Sequence, residues 1–359
     1  MSTETTVTTS APGKLFLIGE YAVLEGAPSI LTAVNRRARV TLRAASGGHW
    51  SFSAPNLDIE HLALGVDGQA GAELDDTVRD RLRVFEAVRA AVADFLDTPL
   101  PPLDVHIDTS DFARDGHKLG LGSSGAVAAA LTRALLAWAD IHPAPAELAR
   151  LAIAAHRAAQ GGTGSGGDVA TSVYGGIIGY IRDQAPEPLT WPTGLNGTAV
   201  VTGQGASTTE LVARVYAYGE HSPQGFQSDM TRLAALAEHA ADHLGQANRF
   251  LQLAREYFEA LIALDHHAGA GIVSPRHHEL HALAARHGAV FKSSGAGGGD
   301  VGLLFTTHYT DQAALRDDFA SAGADIIDLE LGVDGVTLEP SHPDIAAADR
   351  SATAHGRLG

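Results

Sequence analysis

The chain has 359 residues, 45% of them hydrophobic, and a formal net charge of −17. That length allows two lobes with separate cores, and a surface so acidic argues against nucleic acid or an anionic membrane as the main partner. There is no cysteine, which excludes disulfides, thiolate catalysis and cysteine-ligated zinc or iron–sulfur sites.

In chain order, a polar, threonine-rich start lacks the basic and apolar regions of a signal peptide, and no uncharged apolar run is long enough to span a bilayer. A cytoplasmic location is the resulting expectation. Pro12 and Gly13 mark a turn before Lys14, and the apolar run 15–24 reads as a buried strand. Strands follow at 29–34 and 37–43, the second alternating with Ala38, Val40 and Leu42 on one face. Residues 44–75 are glycine-rich and irregular, with short strands near Trp50. Val78, Leu82, Phe85, Val88, Val92 and Phe95 recur three or four apart and predict a helix over 76–95. A short strand is expected at 103–107.

A charged loop then delivers Lys118-Leu119-Gly120-Leu121-Gly122-Ser123-Ser124-Gly125-Ala126, which runs into an alanine-rich helical pattern through Leu131, Leu135 and Trp138. A further helix over 146–160 stops at the glycine-rich stretch 161–167, Asp168 opens a short helix at 169–173, and a strand follows at 175–181. Residues 185–196 are rich in Pro and Gly and read as a boundary, giving domains over 1–195 and 196–345 and a loose tail over 346–359. Beyond the boundary come a strand at 197–202, a loop through Ser207 and Thr208, and a helix at 210–218. Three helical segments follow near 223–243, 246–266 and 275–287. Strands at 289–292 and 301–305 bracket a third glycine loop, and a helix at 311–321 with strands at 325–331 and 336–338 closes the second domain.

A glycine turn opening a helix presents unpaired backbone N–H groups and the positive end of the helix dipole, a ready anion site. Taken alone, the stretch at 118–126 is equally compatible with an ordinary glycine-rich loop. The lysine distribution adds to it. Of 25 Lys+Arg only Lys14, Lys118 and Lys292 are lysines, and all three lie in or beside glycine-rich segments. A compact ammonium and a guanidinium are not interchangeable where one point charge meets one phosphate oxygen. For Asp168, capping its own helix is the ordinary role.

Gly120-x-Gly122-x-x-Gly125 and Gly162-x-Gly164-x-x-Gly167 formally satisfy a dinucleotide fingerprint. That fingerprint requires a strand running straight into the turn, whereas a charged loop precedes the first and a helix precedes the second. No P-loop spacing is present. Among the 18 histidines, His277, His278 and His281 are dense, but without a His-Glu-x-x-His pattern and with Arg276, Glu279 and Arg286 nearby they read as a solvated helix face.

Three motifs in order resemble the GHMP kinase superfamily: the strand start at 11–20 with Ala11-Pro12-Gly13-Lys14, similar to the family's Pro-x-Gly-Lys, the Gly-Leu-Gly-Ser-Ser-x-Ala loop at 120–126, and the glycine loop at 292–299. Within that superfamily, Gly19-Glu20-Tyr21-Ala22-Val23-Leu24, the loop with Lys118 at its entrance, Gly164-Ser165-Gly166-Gly167-Asp168-Val169-Ala170-Thr171 and Lys292-Ser293-Ser294-Gly295 are most similar to the bacterial phosphomevalonate kinase branch. Mevalonate kinases usually carry His at the position of Tyr21, Asn after the Asp, and a metal-binding Glu about ten residues before it. Here Val169 follows Asp168, and His156-Arg157 stand upstream.

The resemblance implies a two-lobed α+β fold, with a ribosomal-protein-S5-like N-terminal domain and a ferredoxin-like C-terminal domain. It implies ATP-dependent phosphorylation of 5-phosphomevalonate to 5-diphosphomevalonate, with mevalonate kinase, an ATP-dependent decarboxylase or a non-catalytic nucleotide-binding homologue as alternatives. The implied catalytic residues are Lys14, Lys118 and Asp168. Gly120, Leu121, Gly122, Ser123, Ser124, Gly125 and Ala126 are expected around the ATP phosphates, and Ser124 at Mg²⁺. Ser165, Ser207, Thr208, Lys292, Ser293, Ser294 and Gly295 are expected to contact a small phosphorylated substrate. The assembly is left open as monomer or homodimer.

Overall fold

The computed structural model describes residues 5–114, 116–203, 207–299 and 301–340. Its first half is built on a long antiparallel hairpin of β1 (Thr6–Ile18) and β2 (Ser29–Ala44). The two strands expected at 29–34 and 37–43 are one, because Asn35 and Arg36 bulge out at a register shift where Pro12 pairs with Arg37 and Gly13 with Val34, and the strand continues on both sides. There the Arg37 guanidinium donates to the Ser10 and Gly335 carbonyls at 3.0 and 2.7 Å. The apolar run 15–24 is not one strand. It ends at Ile18, Tyr21 takes a left-handed φ of 63°, and Ala22–Glu25 forms a short 3₁₀ turn.

The sheet is extended by β3 (Ser51–Ala54), β4 (Ile59–Ala63) and β5 (Leu103–Asp108), while β6 (Ala113–Arg114) and β7 (His117–Lys118) form a small separate hairpin. Helices α1 (Asp76–Leu96), α2 (Ser123–Trp138), α3 (Pro145–Ala159) and α4 (Gly167–Tyr174) come next. α2 and α4 pack directly on the hairpin, and α1 and α3 pack on α2. Alanines on α2 make this possible: with Ala126, Ala129 and Ala130 fully buried, its backbone lies close enough for the Thr9 hydroxyl to donate to the Ala130 carbonyl at 2.8 Å. At the other end of the sheet Trp50 and Phe52 pack on Phe85 of α1, with ring centroids 6.0 and 5.0 Å apart. β8 (Ile177–Tyr180) pairs with β2, and β9 (Glu187–Leu189) with β8.

The second half opens with β10 (Leu195–Val201), followed by α5 (Thr208–His221), α6 (Pro223–Asp242), α7 (Ala247–Ala268) and α8 (Pro275–Arg286). Then come β11 (Val290–Ser293), β12 (Val301–Thr307), α9 (Gln312–Ser321) and β13 (Asp325–Ile327). The antiparallel strand order β11-β12-β10-β13 is that of a split β-α-β-β-α-β unit, with α5 to α7 added before α8. Side chains alternate across it. Leu304 and Val200 join Leu280, Leu283, Leu315 and Phe319 from α8 and α9, while Leu303 and Phe305 face α7, where Phe250 meets Phe305 edge-on at 5.6 Å.

The chain end departs from expectation. Residues expected to close the second domain form β14 (Thr337–Leu338), which pairs with β1 at Ser10 and Thr9 in the first sheet. Bridges from Leu331 to Val34 and from Asp334 to Gly175 draw it there. The change of sheet falls at β10, but the first lobe is completed by residues far beyond 195. The expected tail at 346–359 lies outside the described residues. The histidine-rich segment is only partly the solvated face expected: His278, Glu279 and Arg286 are exposed, but two of its histidines turn inward. His277 is fully buried, where its backbone N–H and Nδ1 complete a capping box with Ser274, and His281 Nδ1 lies 2.7 Å from the Phe291 carbonyl. Among the described residues no helix is long and apolar enough to cross a membrane.

Candidate active site

Where the lobes meet, a cavity of about 740 Å³ opens between β1, the start of α2, the turn after α3, α5 and the loop after β11. Lys14, Lys118, Asp168, Ser165, Thr208 and Gly295 all line it, as do Gly120 to Ser124.

α2 starts without a side-chain cap. Its N-cap is Gly122, held at φ 77°, so the amides of the first turn face the cavity without a side-chain acceptor. Glycine is required there twice over: by the left-handed backbone, and because a Cβ would sit 2.9 Å from Lys14 Cε. Lys14 is 8% exposed and projects from β1 past that loop, its backbone N–H donating to the Leu121 carbonyl at 2.8 Å. Its ammonium lies 5.3 Å from the centre of the Phe16 ring. Lys118 is exposed on β7 at the cavity edge. Gly125 and Ala126 do not line the cavity. They are buried in the first turn of α2, where Gly125 leaves room for Asp168, since a Cβ there would stand 3.0 Å from the Asp168 carboxyl.

Asp168 is not the cap its sequence position suggests: Gly166, at φ 85°, is the N-cap of α4 and has no side chain to cap with, and Asp168 lies inside the first turn. Oδ1 accepts the Val169 N–H at 2.9 Å, while Oδ2 lies 3.8 Å from His156 Nδ1. The other ring nitrogen of His156, Nε2, lies 2.7 Å from Ser124 Oγ. Ser165 supports this wall from below: its carbonyl accepts from Arg157 at 2.6 Å and from the Tyr180 hydroxyl at 2.7 Å.

The opposite wall carries Tyr21, Leu24, Arg182, Val212 and Tyr216. Tyr21 donates its hydroxyl to the Ala296 carbonyl at 2.6 Å, and burial, then Asp265 and Glu20, push its phenol well above the usual range, so it stays a donor. Arg182 donates to the Leu24 carbonyl at 3.3 Å, and among the described residues its Nε has no hydrogen-bond partner. Burial and a hydrogen bond to Glu25 push Tyr216 up to about 12.

The third glycine loop does not present its lysine. Lys292 is fully buried in an ion pair with Glu20 and donates to the Ser293 carbonyl at 2.6 Å. Burial pulls its ammonium below the ordinary lysine range, against the raising effect of Glu20. Ser293 is fully buried too. Ser294 accepts the Phe16 N–H at 2.9 Å and donates to its carbonyl at 3.0 Å, joining the lobes. The expectation that Lys292, Ser293 and Ser294 touch substrate is therefore corrected: all three are buried and none lines the cavity, which among the described residues of this loop only Gly295 and Ala296 reach. Ser207 is a helix cap, its hydroxyl accepting the Glu210 N–H at 3.4 Å, and it does not line the cavity. Among the described residues no group of three or more His, Asp or Glu side chains could hold a metal ion.

Residues 82–176 match the GHMP kinases N terminal domain. A phosphomevalonate kinase from Streptomyces sp. (strain CL190) is 32% identical over 92% of this chain and 98% of its own. The chain belongs to the GHMP kinases, in the phosphomevalonate kinase family. A second phosphomevalonate kinase, from Saccharolobus solfataricus, is 30% identical over 92% of this chain and 98% of its own. The two-lobed fold superposes on that of Streptococcus pneumoniae phosphomevalonate kinase, solved with phosphomevalonate and AMPPNP, with a TM-score of 0.77 at 21% identity, covering 90% and 99% of the chains.

Against that family background, two cavity residues lacked a usable sequence signal. Tyr21 stood out only as a replacement for histidine. Arg182, one of 22 arginines, follows a strand end with nothing to mark it.

Proposed function

We propose that the protein transfers the γ-phosphoryl group of ATP to the phosphate of 5-phosphomevalonate, releasing ADP and 5-diphosphomevalonate, on the mevalonate route to isoprenoids. A cysteine-free chain working on small, highly charged metabolites suits the cytoplasm. The observation that carries the reading is the convergence of Lys14, Lys118, Asp168 and the uncapped start of α2 on one cavity.

A phosphate oxygen of the acceptor attacks the γ-phosphorus, and the bond from that phosphorus to the β,γ-bridging oxygen breaks. The acceptor phosphate has a second pKa near ~6 and is largely a dianion at neutral pH, so no strong base is needed. The main barrier is bringing two anions together, which positioning and fixed positive charge lower. The α2 amides hold the nucleotide phosphates, Lys14 neutralises the transferring group, and Lys118 takes the acceptor phosphate. Asp168 orients the acceptor and Lys14. Ser165 and Thr208 are the side chains expected to touch substrate. Arg182, the third cation lining the cavity, is suited to the acceptor carboxylate.

Mg²⁺ fits this site as an ion carried by the nucleotide. The protein offers hydroxyl and carboxylate oxygens at Ser124 and Asp168 rather than a complete cage, the usual arrangement for this ion. When bound, it neutralises charge on the β- and γ-phosphates.

An ADP-release assay over mevalonate, 5-phosphomevalonate and 5-diphosphomevalonate tests the proposal. Turnover is expected with 5-phosphomevalonate alone and without CO₂. Preference for mevalonate, or CO₂ release from the diphosphate, overturns it.

A further inference from the structure

His156 stands between Ser124 and Asp168, and the phosphoryl-transfer scheme above gives this ring no role. His156 is buried, 2% exposed, on the last turn of α3, and so is screened from direct contact with a ligand. Its two nitrogens face different partners. Nδ1 looks at a carboxylate oxygen of Asp168, 3.8 Å away. Nε2 lies 2.7 Å from Ser124 Oγ and 3.4 Å from the Gln160 side-chain amide nitrogen.

These neighbours select one tautomer of the ring. A carboxylate can only accept, so it favours the proton on Nδ1. The Gln160 amide can only donate, so it favours a bare Nε2. With Nε2 bare, the Ser124 hydroxyl must donate to it. Its lone pairs then point away from the ring, and Ser124 lines the cavity. The opposite tautomer would set an Nδ1 lone pair against the Asp168 carboxylate and an Nε2 hydrogen against the Gln160 amide.

We propose that His156 is a positioning residue that fixes the Ser124 hydroxyl with its lone pairs toward the cavity and couples that orientation to Asp168. Ser124 then serves as an acceptor facing a cation and not as a hydrogen-bond donor to phosphate. The same ring ties the nucleotide loop at the start of α2 to the carboxylate at the start of α4. The inference rests on the kinase reading only where turnover is measured.

The test has two arms. In the first, ¹⁵N-histidine-labelled protein without nucleotide or metal is examined by NMR, with His156 assigned by the signal lost in His156→Gln. The Nδ1–H tautomer is expected, and a predominant Nε2–H tautomer overturns the proposal without reference to any activity.

The second arm splits the two functions of the ring. His156→Gln keeps an acceptor near the Nε2 position for Ser124 and loses the contact toward Asp168. His156→Asn is shorter and does the reverse. For AMPPNP with Mg²⁺ in calorimetry, the dissociation constant should rise about tenfold in His156→Asn and less than about threefold in His156→Gln, the scale on which residues supporting a ligating group act. At saturating nucleotide, kcat should fall about tenfold in His156→Gln. Equal losses in both variants, or none in either, mark a merely structural histidine and overturn the proposal. If one variant does not fold, the signal lost in the other assigns His156, and the wild-type tautomer decides. If the acceptor reading is wrong, wild-type protein shows no turnover on 5-phosphomevalonate while the NMR and calorimetric results stand.

Discussion

Two lysine–glycine loops in this chain are written in nearly the same letters and end in opposite places. Lys118-Leu119-Gly120-Leu121-Gly122-Ser123-Ser124-Gly125 leads into the helix α2, and its lysine is exposed at the cavity edge. Lys292-Ser293-Ser294-Gly295 leaves the strand β11, and its lysine is sealed between the lobes against Glu20. Glycine, serine and lysine alone do not make a phosphate site. The element they adjoin decides: a helix start turns amides outward, while a strand end between two apolar layers turns side chains inward. The partner decides the rest, since a carboxylate of the protein already occupies Lys292.

The largest effect expected from this contrast is on stability. Lys292→Ala leaves the Glu20 carboxylate buried and unpaired, which costs about 3–5 kcal/mol. Urea denaturation should show that loss. Replacing both partners, Lys292→Met with Glu20→Leu, should recover most of it, because matched apolar groups avoid the desolvation of the pair. An unchanged midpoint in Lys292→Ala together with a raised KM for the acceptor would mean that this lysine meets substrate, and the two loops would be alike after all.

The converse experiment is Lys118→Ala. An exposed side chain away from the core leaves stability within about 0.5 kcal/mol, so the melting curve should not move. A hundredfold loss of kcat/KM, about 2.7 kcal/mol, is the expected cost of removing the charge that meets the acceptor phosphate. Retained activity in Lys118→Ala would leave Lys14 as the only lysine serving the reaction.

Much of the fold was legible because period and punctuation agree. The helix at 76–95 and the glycine-to-alanine passage into α2 are local patterns, and the structure realises them within a residue or two. The cavity wall from Gly120 to Ser124 followed from the same local logic. What was not legible depends on distant partners. Nothing in Thr337-Leu338 announces that it pairs with Thr9 and Ser10. Nothing in Lys292 announces Glu20, 272 residues earlier in the chain. Ser207 and Asp168 both sit at helix starts, yet only Asp168 also faces the cavity, a distinction set by packing against Gly125 and His156.

Arg182 tests where the boundary between presented and sequestered charge lies, because it belongs to neither extreme. Its guanidinium is about one-third exposed, tethered to the Leu24 carbonyl and 3.7 Å from Asp183, yet it lines the cavity. If it receives the acceptor carboxylate, Arg182→Met should raise the KM for 5-phosphomevalonate about tenfold, or 1.4 kcal/mol, with the KM for ATP unchanged. A second acceptor separates this from a structural effect. Wild-type enzyme should handle the carboxylate-free analogue, 3-hydroxy-3-methylbutyl phosphate, as poorly as Arg182→Met does, and the substitution should cost nothing further with that analogue. Equal losses with both acceptors, accompanied by a lowered melting temperature, would assign Arg182 to holding the turn at 22–25. It would then join Lys292 on the sequestered side of the comparison.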